Sequence, residues 1–535
     1  MKTRTLFAAA ALSAVSATPV LAQDRLLTRD RPDAAPVSAP AGEAPPLPSA
    51  APTTPEVPPF VLRAVSVQGA SVPADPLNRA LAPFIGQTLD ADGLARLQAA
   101  LAQAYADHGL AALPLVQLDT RRAAEGVVVI YITEARIARV LLTGDVGGEM
   151  DVVRRNADLL TQEAPLSRAT ADRRLFLIGD VPGLKTTTAL RPSDQPGAVD
   201  LVLDLKRTPW ETTFTADSRG SRTLGRTQLG VQIDRNGLYR LGDRTRLAVT
   251  VPGDFESFVH VAASHRMPVG WDGAAVDFSV GHLRTRPEGG VEGDATTAAI
   301  TASWPMIRGP RENLYLSIGL DGLNSSNAVF GERLADESTR TVRASAAWSR
   351  LRPTWSASAG LVLSQGVDGL GAETPAPDLT DLDFLKLNVS VEGVRLIGRQ
   401  VRLRASAAAQ LTEDATPTSE QFAIGGEVYG RGFPAALLAG DSGWGVALEA
   451  AWIPTFTPRF FKGSELFVFG DGGEVTLNAR PGIPELVGEL ASAGVGVRIA
   501  FSDRAVLELE IARALEDPRT DDGDWRGGFA LTARF

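Results

Sequence analysis

Two short motifs are the best placed in this chain to do chemistry: "GRGF" at Gly430 to Phe433, and "FGDGG" at Phe469 to Gly473. Gly430 and Gly432 allow the backbone to turn tightly, and the guanidinium of Arg431 can make bidentate contacts to a carboxylate. In "ELFVFGDGG" side chains alternate, so Phe469, Asp471 and Gly473 share one face while Leu466 and Val468 share the other. An ionised aspartate is costly against lipid, so Asp471 is expected on a water-facing side. If the glycine-rich loop folds back inside, Arg431 and Asp471 can form a charge pair there, with Phe433 and Phe469 packed nearby. Either motif alone recurs by chance; the two together, in this order, are far more specific.

A second phrase competes. "GDSGWG", Gly440 to Gly445, resembles the nucleophile phrase of trypsin-like proteases, and "AASH" ending at His265 weakly resembles their histidine phrase. That reading makes Ser442 a nucleophile, but no complete triad can be assembled from the sequence. Other chemistries are narrowed by composition. There is no cysteine, which removes thiolate catalysis, disulfides and thiolate metal sites. The four histidines, His108, His260, His265 and His282, form no ligand-spaced cluster, which argues against a zinc or di-iron centre. The net charge of -10 is spread without a basic block and gives no argument for a nucleic-acid partner.

The elements that must position Arg431 and Asp471 follow from periodicity. Lys2 and Arg4 precede a short apolar run, and Val20 and Ala22 have the spacing of a signal-peptidase site, so residues 1–22 read as a signal peptide. Residues 23–59, rich in proline and alanine, read as an extended linker with room for about two helical turns before Pro32. From Phe60 to Arg207 one α+β unit is used twice, each copy opening on a strand closed by glycine, "LRAVSVQG" and "IARVLLTG". The expected boundaries are 60–135 and 136–208. In the first copy Leu94, Leu97, Leu101 and Tyr105 form one helical stripe.

After Trp210 the helical period gives way to about sixteen alternating segments, an even number as a single-chain barrel requires. In "RTRLAVTV", Leu247, Val249 and Val251 share a face, opposite Arg246 and Thr250. Short connections such as "IGR" alternate with long ones such as "GVDGLGAETPAPDLTDLD", and the chain ends on an outward Phe535. Alternation alone also fits a soluble sandwich. The even count, the loop asymmetry and the terminal aromatic favour a transmembrane β-barrel over 209–535, with "GRGF" in a long loop spanning 412–442.

With these elements in order, the chain resembles the outer-membrane transporters of bacterial two-partner secretion, the ShlB/FhaC/HecB family. Its superfamily is marked by "VRGY" or "VRGF" in the sixth loop and by "FxDxG" in a late strand. "GRGF" matches the first except for its leading residue, "FGDGG" matches the second in full, and "LFLIGDVPG" from Leu175 to Gly183 resembles the family's second POTRA domain. The resemblance implies a signal peptide, a plug helix, two periplasmic POTRA domains and an outer-membrane barrel bounded by lipid. It implies passive export of an unfolded secreted exoprotein, with no nucleotide or cofactor. It makes Arg431 the anchor of the sixth loop, Asp471 its acceptor, Gly432 and Phe433 the shapers of the tip, and Phe535 an assembly signal. Periplasmic chaperones and the barrel-assembly machinery would act during biogenesis. An assembly or translocation factor of the same superfamily is the alternative.

Overall fold

The computed structural model describes residues 57–535 apart from Ser71, Ala135, Asp503 and the segments 109–113, 145–149, 196–197, 222–223, 288–289, 330–331, 456–462 and 517–523. The expected signal peptide, plug helix and nearly all of the linker lie outside the described residues.

Two N-terminal units share one topology. The first runs β1 (Ala64–Gln68), α1 (Ala74–Leu81), α2 (Ala91–Asp107), β2 (Pro114–Asp119) and β3 (Val127–Glu134). The second runs β4 (Arg136–Thr143), α3 (Asp151–Thr161), α4 (Arg168–Gly179), β5 (Leu184–Pro192) and β6 (Ala198–Arg207). In each, the last strand is central, parallel to the first and antiparallel to the one before it. A parallel pair needs a crossover, and the two helices supply it. The stripe Leu94, Leu97, Leu101 and Tyr105 is buried against Val128 and Ile130 of β3. In the second unit Val153, Leu160, Leu175 and Ile178 close over Leu201 and Leu203 of β6. The Ser167 hydroxyl caps α4 by accepting the Thr170 N–H at 3.2 Å.

Sixteen antiparallel strands then close on themselves. They are β7 (Trp210–Asp217), β8 (Gln228–Asn236), β9 (Arg244–Pro252), β10 (Phe258–Val269), β11 (Ala274–Thr285), β12 (Val291–Arg308), β13 (Glu312–Val329) and β14 (Glu332–Arg352). The second half is β15 (Trp355–Gly366), β16 (Leu385–Ile397), β17 (Val401–Leu411), β18 (Ser442–Trp452), β19 (Glu465–Leu477), β20 (Leu486–Ser502), β21 (Ala505–Glu516) and β22 (Trp525–Arg534). Closure decides between barrel and sandwich, because it leaves no unpaired edge in a medium without water. The seam pairs Thr213–Asp217 of β7 with Ala530–Arg534 of β22. Phe535 extends it, exchanging backbone hydrogen bonds with Thr212, and its ring is 75% exposed on the outside.

The alternation sorts side chains as expected. Leu247, Ile318, Leu448 and Val468 stand exposed on the outer wall, a belt of apolar side chains that suits lipid. Arg246 turns inward and pairs with Asp234 of β8 at 2.7 Å. Turns such as 398–400 on the side of the N-terminal units are short, whereas 367–384 and 412–441 at the other end are long.

The second unit is fastened to the barrel's inner end. Arg173 and Arg174 of α4 each reach Asp272, in the turn between β10 and β11, at 2.8 Å. Arg173 also donates to the carbonyls of Pro305 and Met306, and Asn156 of α3 donates to that of Trp271 at 2.8 Å. Arg308 of β12 pairs with Asp180 at 2.5 Å and lies over the Phe176 ring. These contacts hold α3 and α4 beside the lumen mouth.

Candidate functional site in the sixth loop

The segment 412–441 is the sixth connection on the outer side, and it does not project outward. Its neck is tied by Ser442, whose hydroxyl donates to the Thr412 carbonyl at 2.9 Å and accepts the Thr412 N–H at 3.1 Å. Asp441, fully buried, gathers Thr416, Asn478 and Arg480. From the neck the chain forms a small hairpin, Phe422–Ile424 against Leu438–Gly440. The expected loop boundary at 442 is therefore one residue late, because Ser442 already opens β18.

The tip carries "GRGF" to the inner wall of β19 to β21. The Asp471 carboxylate accepts the Gly430 N–H at 2.9 Å, the Arg431 N–H at 3.2 Å and the Ser492 hydroxyl at 2.5 Å, all on Oδ1. Ser492 in turn accepts the Gly432 N–H at 3.1 Å. The glycines are required here. Gly430 has φ +103°, and a Cβ on it would lie 2.6 Å from Leu490 Cδ1. A Cβ on Gly432 would lie 2.9 Å from Ser492 Cβ and 3.2 Å from the backbone of Ala514.

The Arg431 side chain is not the partner of Asp471 alone. Its guanidinium stands over the Phe469 ring at 4.2 Å and faces Glu449 at 3.5 Å, Glu510 at 3.5 Å and Asp471 at 3.7 Å. The expected single pair is thus a cation shared by three carboxylates, with Asp471 chiefly binding the loop backbone. The two phenylalanines also separate. Phe433 is fully buried with Ile424, Val475, Leu490 and Ala514, whereas Phe469 packs with Ala451, Phe467 and Ala512. A Cβ on Gly473 would meet the Trp444 carbonyl at 2.2 Å, so that position holds β18 and β19 close together.

Around the tip the inner wall carries a charge ladder. Glu449 takes Arg404 and Arg498, Glu465 takes Arg402 and Arg498, and Arg498 reaches Glu508 at 2.7 Å. Arg219, just past β7, reaches Glu508 on β21 at 2.5 Å and Glu427 in the loop at 2.7 Å, so it spans the seam from inside. Glu449, Glu508 and Glu510 belong to no motif, but the period-two rule that finds Asp471 also finds them. In "WGVALEAAW" Glu449 alternates with outward Leu448, and in "LELEI" Glu508 and Glu510 alternate with Leu507, Leu509 and Ile511. A cavity of about 860 Å³ remains between the loop and the small-residue wall that includes Ser345, Ser358, Ser390 and Ser406.

Ser442 and His265 do not meet. They lie on β18 and β10, eight strands apart around the barrel, and His265 is bonded to Thr245 at 2.9 Å.

Residues 197–499 match the family of haemolysin secretion/activation proteins ShlB/FhaC/HecB, and residues 60–135 match the ShlB-type POTRA domain. The first match spans more than half of the chain. The chain belongs to the ShlB/FhaC/HecB family. It is an outer-membrane transporter of two-partner secretion that acts with a secreted exoprotein, and its N-terminal POTRA region lies in the periplasm. Among curated relatives, the outer membrane transporter CdiB of Escherichia coli is 24% identical over 425 residues, 74% of this chain and 70% of the relative. The solved structure of CdiB from Escherichia coli superposes with a TM-score of 0.67 at 20% identity, covering 97% of this chain and 98% of that one. CdiB from Acinetobacter baumannii gives 0.62 at 17% identity, covering 97% and 98%. These likenesses support the fold.

Proposed function

We propose that this transporter receives its exoprotein as an unfolded chain on the two N-terminal units and passes it through the lumen, with the sixth-loop tip setting the transport-competent state. The observation that carries this reading is the loop itself: it folds into the barrel and is bound there by backbone and side chain at Gly430, Arg431 and Gly432. Residues 60–135 and 136–208 act as two POTRA domains, and extended segments of the exoprotein add to their exposed sheet edges. Asp471 seats the tip, Arg431 neutralises the carboxylates around it, and Phe433 plugs the tip into its apolar socket. No nucleotide or cofactor takes part. Phe535 serves as the signal for the barrel-assembly machinery, and periplasmic chaperones escort the chain before insertion.

The experiment compares culture supernatants of cells with and without the protein. One large polypeptide should disappear when it is absent. An unchanged set of secreted proteins would contradict the proposal.

A further inference from the structure

The sixth loop is held at a second place, on the wall from β13 to β17. Thr418–Glu420 form a short 3-10 turn, and the Glu420 side chain is fully buried. Arg343 of β14 reaches both of its oxygens, at 2.9 and 3.0 Å, and Lys386 of β16 stands at 2.8 Å. Arg343 is itself held by Asp321 of β13 at 2.6 Å and Ser364 of β15 at 2.8 Å. Lys386 and Gln410 donate to the Glu420 carbonyl at 2.9 and 2.8 Å. The Thr418 and Ser419 N–H groups donate to the Glu337 carboxylate at 3.1 and 3.3 Å.

Arg343 and Lys386 face Asp321 and Glu420, while the Glu337 carboxylate is met by backbone N–H groups, and burying such charges is tolerable only when they are paired or hydrogen-bonded. The tip is looser. Arg431 meets its three carboxylates only at 3.5 to 3.7 Å. Arg431 Nε, Asp471 Oδ2 and Glu510 Oε2 are buried there without hydrogen-bond partners among the described residues. Between base and tip lie Gly425 and Gly426, at φ +104° and +98°, a place where the backbone can change direction.

We infer that Glu420, with Arg343 and Lys386, is the fixed base of the sixth loop, so that the tip is released while the base stays in place. Glu420 is a positioning residue, and the inference rests on the reading of the loop given above. The chain has no cysteine, so introduced labels are specific. Spin labels at Gln421→Cys near the base and Val428→Cys near the tip, each measured against Leu448→Cys on the outer wall, report the two ends separately. Arg431→Ala should broaden the Val428 distance alone. Glu420→Gln should broaden both and raise the KCl current through planar bilayers.

A Gln421 distance as narrow in Glu420→Gln as in the parent overturns the inference. A narrow Val428 distance in Arg431→Ala instead counts against the tip reading, and the Gln421 distance still judges Glu420. Barrel assembly is checked by heat-modifiable gel mobility. If Glu420→Gln fails to assemble, the double variant Glu420→Gln/Lys386→Met, which removes one charge of each sign, must broaden the Gln421 distance; a narrow one overturns the inference equally.

Discussion

Asp471 and Arg431 hold the loop tip in different ways. The carboxylate takes three hydrogen bonds on one oxygen, whereas the guanidinium makes longer contacts to several acids. Stranding a buried donor costs about 1–3 kcal/mol. Asp471→Ala, which strands three, should therefore free the tip more than Arg431→Ala does. Hydrogen exchange of residues 429–433 checks this, and equal protection in the two variants would count against it. Gly430→Ala should cost about 1–3 kcal/mol for the left-handed backbone alone, with the Leu490 clash added. Reduced thermal stability of the loop, read by the same exchange, is the expected result. Period-two alternation made Asp471 legible in the sequence. The sharing of Arg431 was not legible, because Glu449, Glu510 and Asp471 come from three strands far apart in the chain that only the barrel register aligns.

At the scale of elements, α4 is tied to the barrel through Asp272. Burial works to raise that carboxyl, and the Arg173 and Arg174 guanidiniums outweigh it, leaving the carboxyl below its usual range. A carboxyl lowered in the docked state stabilises docking fully above its free value of about 3.9, and that contribution is lost as pH falls through the lowered value. Asp272→Asn should thus speed hydrogen exchange in 168–179 at neutral pH while leaving 64–134 unchanged. The gap from the parent protein should close under acid; a gap that persists there would contradict the sign. That this second unit carries its own helices was legible from the repeat of one α+β unit along 60–208. Their partner was not, since the turn at Asp272 has no pattern that names α4.

For the whole molecule, the barrel and the repeated α+β unit were legible because alternation and repetition are written locally along the chain. The depth to which the sixth loop folds was not, because it depends on the buried charge of Glu420, whose partners Arg343 and Lys386 lie on distant strands, and on that of Asp441, whose partner Arg480 lies in another connection. On the proposed function, export needs the docked tip. Arg431→Ala takes from Asp471 and Glu510 the cation they share, while Glu449 keeps Arg404 and Arg498; breaking a buried pair costs about 3–5 kcal/mol, enough to cut the docked population by roughly a hundredfold or more. The direct measurement is the amount of the exported polypeptide in supernatants of cells carrying the parent protein or Arg431→Ala, with barrel assembly checked by heat-modifiable mobility. In Arg431→Ala the polypeptide should be lost from the supernatant while the barrel stays assembled; export at the parent level would contradict a need for the docked tip.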